Sequence, residues 1–227
     1  MTADLFDEFA AAEAALQVEQ RAHAADVKAV AIKRKAQRLT LRRAKTEAVL
    51  LDILPKTLEN DHSYHVISHG DVDALSYLIH ILRAQPLDRL LLATWCMAMA
   101  DIDYLRGELE AYRLDKIDFV LGEIFPSSYT DEYEAIQRME RDGMATMKIA
   151  RCHAKVMAGS HAASGFYFAM ESSANVNTNP RIEQTAIHTS RDLHDFYVEF
   201  FDGLKSIDAT SYHAAAKKRA TLQGAAA

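Results

Sequence analysis

The sequence lacks any apolar run long enough to cross a bilayer: the longest, Leu90 to Ala100, is about half of the roughly 20 residues a spanning helix needs. Its first residues are acidic and carry no apolar leader-like stretch, so no secretory signal is expected. Only two cysteines are present, Cys96 and Cys152, and two thiols without framework spacing exclude a disulfide scaffold. They predict free thiols and a cytoplasmic protein. Glycine and proline are absent from residues 3–52, a stretch rich in Ala, Glu, Gln, Lys and Arg, which predicts helix there. No internal repeat is visible. What remains is ordinary globular composition, 49% hydrophobic and 26% charged, with enough length for a sizeable core.

Acidic residues are missing from one more place. Between Lys28 and Lys45 there are eight basic residues and no acidic one. The net charge is −6, so taking away those eight positive charges leaves −14 on the rest. Such a block, with Lys33, Arg34, Lys35, Arg38, Arg42 and Arg43 at its centre, suits a phosphate backbone. The competing reading is a solvated helix face or a partner for an acidic surface of the same chain.

Pro55 and the polar run Glu59 to His62 mark a boundary, after which strand and helix patterns alternate. Strands are predicted at Tyr64–Ser68, Arg89–Thr94 and Ile117–Leu121, with helices at Val72–Arg83, 99–113 and 130–142 between and after them. Three such units in succession predict an α/β fold, a mixed and largely parallel sheet flanked by helices. Four short strands follow without intervening helices: Thr146–Ala150, Ala154–Ala158, Gly165–Met170 and Ile182–His188. A last amphipathic helix is expected from Ser190 to Leu204, with Ser190 as N-cap and Phe196, Val198, Phe200, Phe201 and Leu204 as core anchors. This divides the chain into a helical, partly basic extension (1–58), an α/β domain (59–206) and a flexible tail (207–227).

Within the strand-rich part, chemistry-bearing residues are concentrated. His153 and Lys155 are two apart, and in a strand two residues so spaced share a face. Ser173 and Asn175 follow, then Asn179 and Glu183. Metal-free cleavage of a phosphodiester needs fixed cations and hydrogen-bond donors for the phosphoryl oxygens, because charge stabilisation and positioning supply most of the rate. Lys155, Ser173 and Asn175 can serve so. An imidazole can attack in line as a covalent catalyst, and a carboxylate on its second nitrogen holds the tautomer. His153 and Glu183 have those chemistries.

These residues resemble the signature half of the phospholipase D-like superfamily. The similarity runs over about residues 62–205 and is greatest to single-motif members carried by phages and other mobile elements, which share the Ser-Ala-Asn…Asn-Pro-Arg-Ile-Glu wording. The resemblance implies a phosphohistidine intermediate on His153, phosphate binding by Lys155 and Asn175, support from Ser173, orientation of His153 by Glu183, and no metal or other cofactor. It also implies a homodimer, because the family uses two motifs per site and this chain has one. Three positions depart from the family pattern: Ser160 stands where the Asp is expected, Ser172 where a Gly is usual, and the gap from Lys155 to Ser173 is longer.

Other readings attach to the same residues. The asparagines at 175, 177 and 179 also suit a turn ended by Pro180. His62, His65 and His69 with Asp71 and Asp73 suggest a divalent-metal phosphoesterase, although as a strand the segment puts His62 on the other face. Ser68 to Asp71, His69 included, alternatively line the mouth of a substrate pocket. Cys152 beside His153 points to the opposite face of a strand and reads as a buried thiol; Trp95, Phe166, Tyr167 and Phe168 read as core. The function expected is a metal-independent phosphodiesterase, a nuclease by virtue of the basic block, with no membrane partner. A non-catalytic nucleic-acid-binding or scaffold protein on the same fold is the alternative.

Overall fold

The computed structural model describes residues 45, 46, 48–70, 72–176 and 181–208. The chain divides into two units, Met1–Lys45 and Thr46–Ala227. The basic block from Lys33 to Arg43 falls outside the described residues, as do Asp71, Asn177 and Asn179.

The second unit is built on one seven-stranded sheet. Its strands are β1 (Ser63–Ser68), β2 (Arg89–Thr94), β3 (Ile117–Gly122), β4 (Ala145–Ala150), β5 (Val156–His161), β6 (Phe166–Ser172) and β7 (Glu183–His188), ordered β1-β7-β6-β5-β2-β3-β4. The helices are α1 (Ala74–Ala84), α2 (Met99–Glu110), α3 (Phe125–Ser128), α4 (Thr130–Arg141) and α5 (Arg191–Asp202). The predicted mixed, helix-flanked sheet is therefore present, but its balance differs from the expectation. Only β2–β3 and β3–β4 are parallel, and the other four pairings are antiparallel. Helical crossovers end after β4, and the later strands are joined by loops too short to do anything but reverse or step sideways.

Alternation along the strands separates two cores. Leu90 and Leu92 of β2 and Ile117, Phe119 and Leu121 of β3 enter the larger core, shared with Leu75, Leu78 and Ile81 of α1 and Ile102 and Leu105 of α2. Leu91, Ala93, Val120 and Ala158 face the other way, onto Phe201 of α5. Residues 48–53 are helical, and Leu50, Leu54 and Leu58 join the larger core.

Local chemistry explains where the elements begin. Asp73 caps α1, its carboxylate accepting from the Ser76 backbone N–H at 2.9 Å and from the Ser76 hydroxyl at 2.6 Å. Ser190 caps α5 as expected, accepting from the Leu193 N–H at 3.4 Å. The five aromatic and aliphatic anchors assigned to α5 are not all in the core: Phe201 is buried, but Phe196 and Phe200 are 61% and 59% exposed. Between β5 and β6 the turn closes at Gly165, whose φ of 68° only glycine adopts without strain.

Below the centre of the sheet lies a charged network. Asp118 of β3, only 7% exposed, accepts from Thr146 Oγ1 and from Arg89 Nε at 2.5 Å. Arg89 reaches on to Asp202 at the end of α5, at 2.7 Å. Burial pushes the Asp118 carboxyl up, but hydrogen bonds from Thr146 and Arg89 and the charges of Arg89 and Lys116 outweigh it, leaving its pKa below the ordinary value.

Candidate active site

Strand direction brings the sequence-predicted residues to one end of the sheet. β2, β3 and β4 finish there, β5 begins there, β6 finishes, β7 begins and β1 finishes. That end carries His153 and Lys155 before β5, Ser173 and Asn175 after β6, Glu183 at the start of β7 and His69 just past β1. The ends of parallel strands and their loops are where such sheets usually place sites.

His153 and Lys155 do not lie on a strand, contrary to the expectation of a strand from Ala154. β5 starts at Val156, and residues 151–155 are a loop. The reason is topological. The chain leaves β4 at the sheet edge and must pass β3 and β2 before it pairs with β2 on the far side. Three strand spacings are roughly 14 Å, which a handful of extended residues just covers. The segment is therefore drawn over the strand ends instead of hydrogen-bonding in the sheet. Shared orientation of the two side chains comes from direct contact: Lys155 Nζ donates to the His153 carbonyl at 2.7 Å and lies 3.0 Å from its Nδ1 and 3.4 Å from its Nε2.

The loop packs down where it crosses. Cys152 is buried, while His153 beside it is exposed. The His153 ring rests 5.0 Å from the Trp95 ring, centroid to centroid. Gly122 at the end of β3 makes that packing possible, since a Cβ there would come within 2.2 Å of Trp95 Cδ1 and 3.2 Å of the Cys152 carbonyl. Trp95 was expected in the core; it is the platform under the candidate nucleophile. Its position directly after a parallel strand was the available signal.

Ser173, Asn175 and Glu183 are held by the β6–β7 end. The Ser173 hydroxyl donates to Glu183 and accepts from the Gln184 N–H at 3.0 Å. The Ser172 N–H donates to the Lys155 carbonyl at 3.0 Å, tying this end to the His153 loop. Ser172, in the place of the usual glycine, has its own use: its Oγ lies 2.9 Å from Thr185 Oγ1 and accepts from the Ala174 N–H at 3.1 Å. Asn175 is anchored through Thr94, fully buried at the end of β2. Thr94 Oγ1 donates to the Cys96 carbonyl at 2.9 Å, accepts from the Val176 N–H at 3.4 Å and is 3.5 Å from Asn175 Oδ1. Thr94 is thus a positioning residue that the sequence reading did not single out.

Electrostatics set the state of the lysine. Partial burial lowers the Lys155 pKa, against the opposing pull of Cys96, Cys152 and Glu183. Glu183 is thereby within electrostatic reach of the ammonium as well as bonded to Ser173. Burial raises both thiols, Cys96 despite a hydrogen bond with Tyr129, and Cys152 despite a backbone hydrogen bond and Lys155. A raised thiol pKa means little thiolate, which argues against a cysteine nucleophile.

Ser160, at the position of the family's Asp, is at the opposite end of β5, in register with Arg89 and Tyr167. The substitution therefore touches the end of the sheet away from His153. His69 is exposed immediately beyond Ser68, which pairs with Glu183. Of the residues in the metal reading, Asp71 lies outside the described residues, His65 packs on the ring of His188 and Asp73 caps α1; among the described residues no three His, Cys, Asp or Glu side chains converge to hold an ion. No described helix is long and apolar enough to cross a membrane.

No family profile matches the chain, and no curated protein matches it. Among solved structures it is similar to polyphosphate kinase from Porphyromonas gingivalis (17% identity, TM-score 0.47, 65% of this chain and 24% of that one). It is similar to NucT from Helicobacter pylori (12%, 0.46, 62% and 94%). It is also similar to phosphatidylserine synthase from Haemophilus influenzae (10%, 0.44, 60% and 36%). The chain thus spans about a quarter of the kinase and about a third of the synthase.

Proposed function

We propose that the chain is a metal-independent phosphodiesterase, a nuclease in the cytoplasm, that works as a homodimer with His153 as nucleophile. One observation carries this reading: two connections, β4–β5 and β6–β7 with the first residue of β7, bring imidazole, ammonium, hydroxyl, carboxamide and carboxylate to the same end of one sheet. That set covers the needs of phosphoryl transfer.

In the proposed reaction an imidazole nitrogen of His153 forms a bond to phosphorus as the bond to the leaving oxygen breaks. The partner subunit's His153 gives its proton to that oxygen. It then takes a proton from a water whose oxygen attacks phosphorus, and the phosphorus–nitrogen bond breaks. Lys155 and Asn175 hold the non-bridging oxygens. Ser173 supports that pocket, and Glu183 orients the ring of His153 in the reaction by turning from its bond with Ser173 toward the imidazole. His69 lines the mouth.

The second histidine must come from another copy, since each chain holds one such motif. Ile67 and Ile182, on either side of the Ser68–Glu183 pair, are 71% and 67% exposed. Apolar surface beside a half-built site supports a self-complementary contact there. Sedimentation and activity measured over one dilution series test this. Specific activity is expected to fall in step with the dimer fraction; full activity in a purely monomeric sample would contradict it.

A further inference from the structure

A groove borders His153 and is lined by no other residue of the catalytic set. It has a volume of about 560 Å³ and runs from Arg151 and His153 to Phe200, Leu204, Lys205 and Ile207. That size falls within the roughly 300–1,000 Å³ of sites for small organic groups. Its floor is fixed in place. Lys148 Nζ donates to the carbonyls of Phe201 and Asp202 at 3.0 and 2.7 Å, closing the C-terminal end of α5. Beyond the helix, the Ile149 N–H donates to Ser206 Oγ at 3.0 Å and the Ile207 N–H to the Ile149 carbonyl at 2.8 Å, which lays residues 204–207 along β4.

The lining combines two properties. Its apolar part includes Phe200, a ring 59% exposed near the C-terminal end of α5, beside the buried Phe201. Its charged part is cationic only, Arg151 and Lys205, with no carboxylate among the lining residues. A ring face beside cations, continuous with a phosphodiester-cleaving histidine, matches a nucleotide whose base lies flat and whose phosphates run along the rim. In a duplex the base faces are occupied by stacking, so an aromatic groove of this kind selects unpaired strands.

Resting on the assignment of His153 as the cleaving residue, we propose that this groove seats one unstacked base of a single-stranded nucleic acid against Phe200. Arg151 and Lys205 contact the flanking phosphates. The chain is then a single-strand-selective nuclease.

The test uses the full chain with three substrates: bis(p-nitrophenyl) phosphate, a single-stranded oligonucleotide and the same oligonucleotide in a blunt duplex. The wild type is expected to favour the single strand over the duplex by about tenfold or more in kcat/KM. Phe200→Ala should raise KM for the single strand by about tenfold, the scale of one lost base stack, and leave the small diester unchanged. Phe200→Trp should retain single-strand KM, and Lys205→Glu should raise it. Equal rates on single strand and duplex with a silent Phe200→Ala would overturn the proposal. So would a Phe200→Ala effect that follows a change in sedimentation, which would make the groove a contact between copies. Should the wild type cleave neither the small diester nor nucleic acid, the assignment of His153 falls by itself. Anisotropy of the labelled single strand with wild type and Phe200→Ala then decides the groove separately, equal binding by the two counting against it.

Discussion

Replacing His153 with alanine is expected to lower phosphodiester cleavage by at least about a thousandfold, with EDTA present or absent. The nucleophile is lost, and neither Lys155 nor Asn175 can form the covalent intermediate. Stability should change little, by about 0.5 kcal/mol or less, because the side chain is an exposed loop residue. Its contacts are the rim of Trp95 and the Lys155 ammonium, not the core. Rates on a chromogenic diester and a thermal melt of the same samples check both halves. Activity that survives the substitution, or that EDTA removes from the wild type, contradicts the proposed chemistry.

The second large effect is on stability, at the opposite end of the sheet. Asp118→Ala should cost about 2–3 kcal/mol, seen as a thermal midpoint lower by about 5–10 °C. It leaves Arg89 and Thr146 facing a vacated carboxylate position. The value sits below that of a fully buried pair because the Arg89 side chain is 31% exposed. The pH dependence has a definite sign. A carboxyl whose folded pKa lies below its unfolded one adds stability that is present above about pH 4 and is lost as pH falls through the folded pKa. The gap between wild type and Asp118→Asn should therefore narrow below about pH 4. Cleavage per folded molecule should be unaffected, since the network lies away from the His153 loop. Equal stability of wild type and variant at pH 7 would mean that the network contributes nothing net.

The two ends of the sheet also show what a sequence reveals. β2 was legible to the residue, Arg89 to Thr94, because a strand buried on both faces is a continuous apolar run. The cap at Ser190 was legible because capping is local chemistry. Pairing direction was not, since it depends on which strands become neighbours, and β5 inserts beside β2 after the chain has already built β3 and β4. For the same reason alternation predicted a shared face for His153 and Lys155, whereas the loop over the strand ends brings them together. Residue types at the site could be read without geometry; partners could not. Glu183 bonds Ser173, ten residues before it, and Trp95 lies under a histidine 58 positions away. The exposure of Phe196 and Phe200 was hidden because both fit the apolar stripe of α5 as well as Phe201 does.

The central claim is that His153 carries the phosphoryl group in a site completed by a second chain. Rapid acid-free quenching during turnover of a labelled phosphodiester, followed by peptide mass spectrometry, measures this directly. The expected result is an acid-labile phosphate on His153, at no more than one per two chains, absent from His153→Ala. Phosphate on another residue, or turnover with no covalent phosphoprotein under conditions that preserve phosphohistidine, would contradict the account.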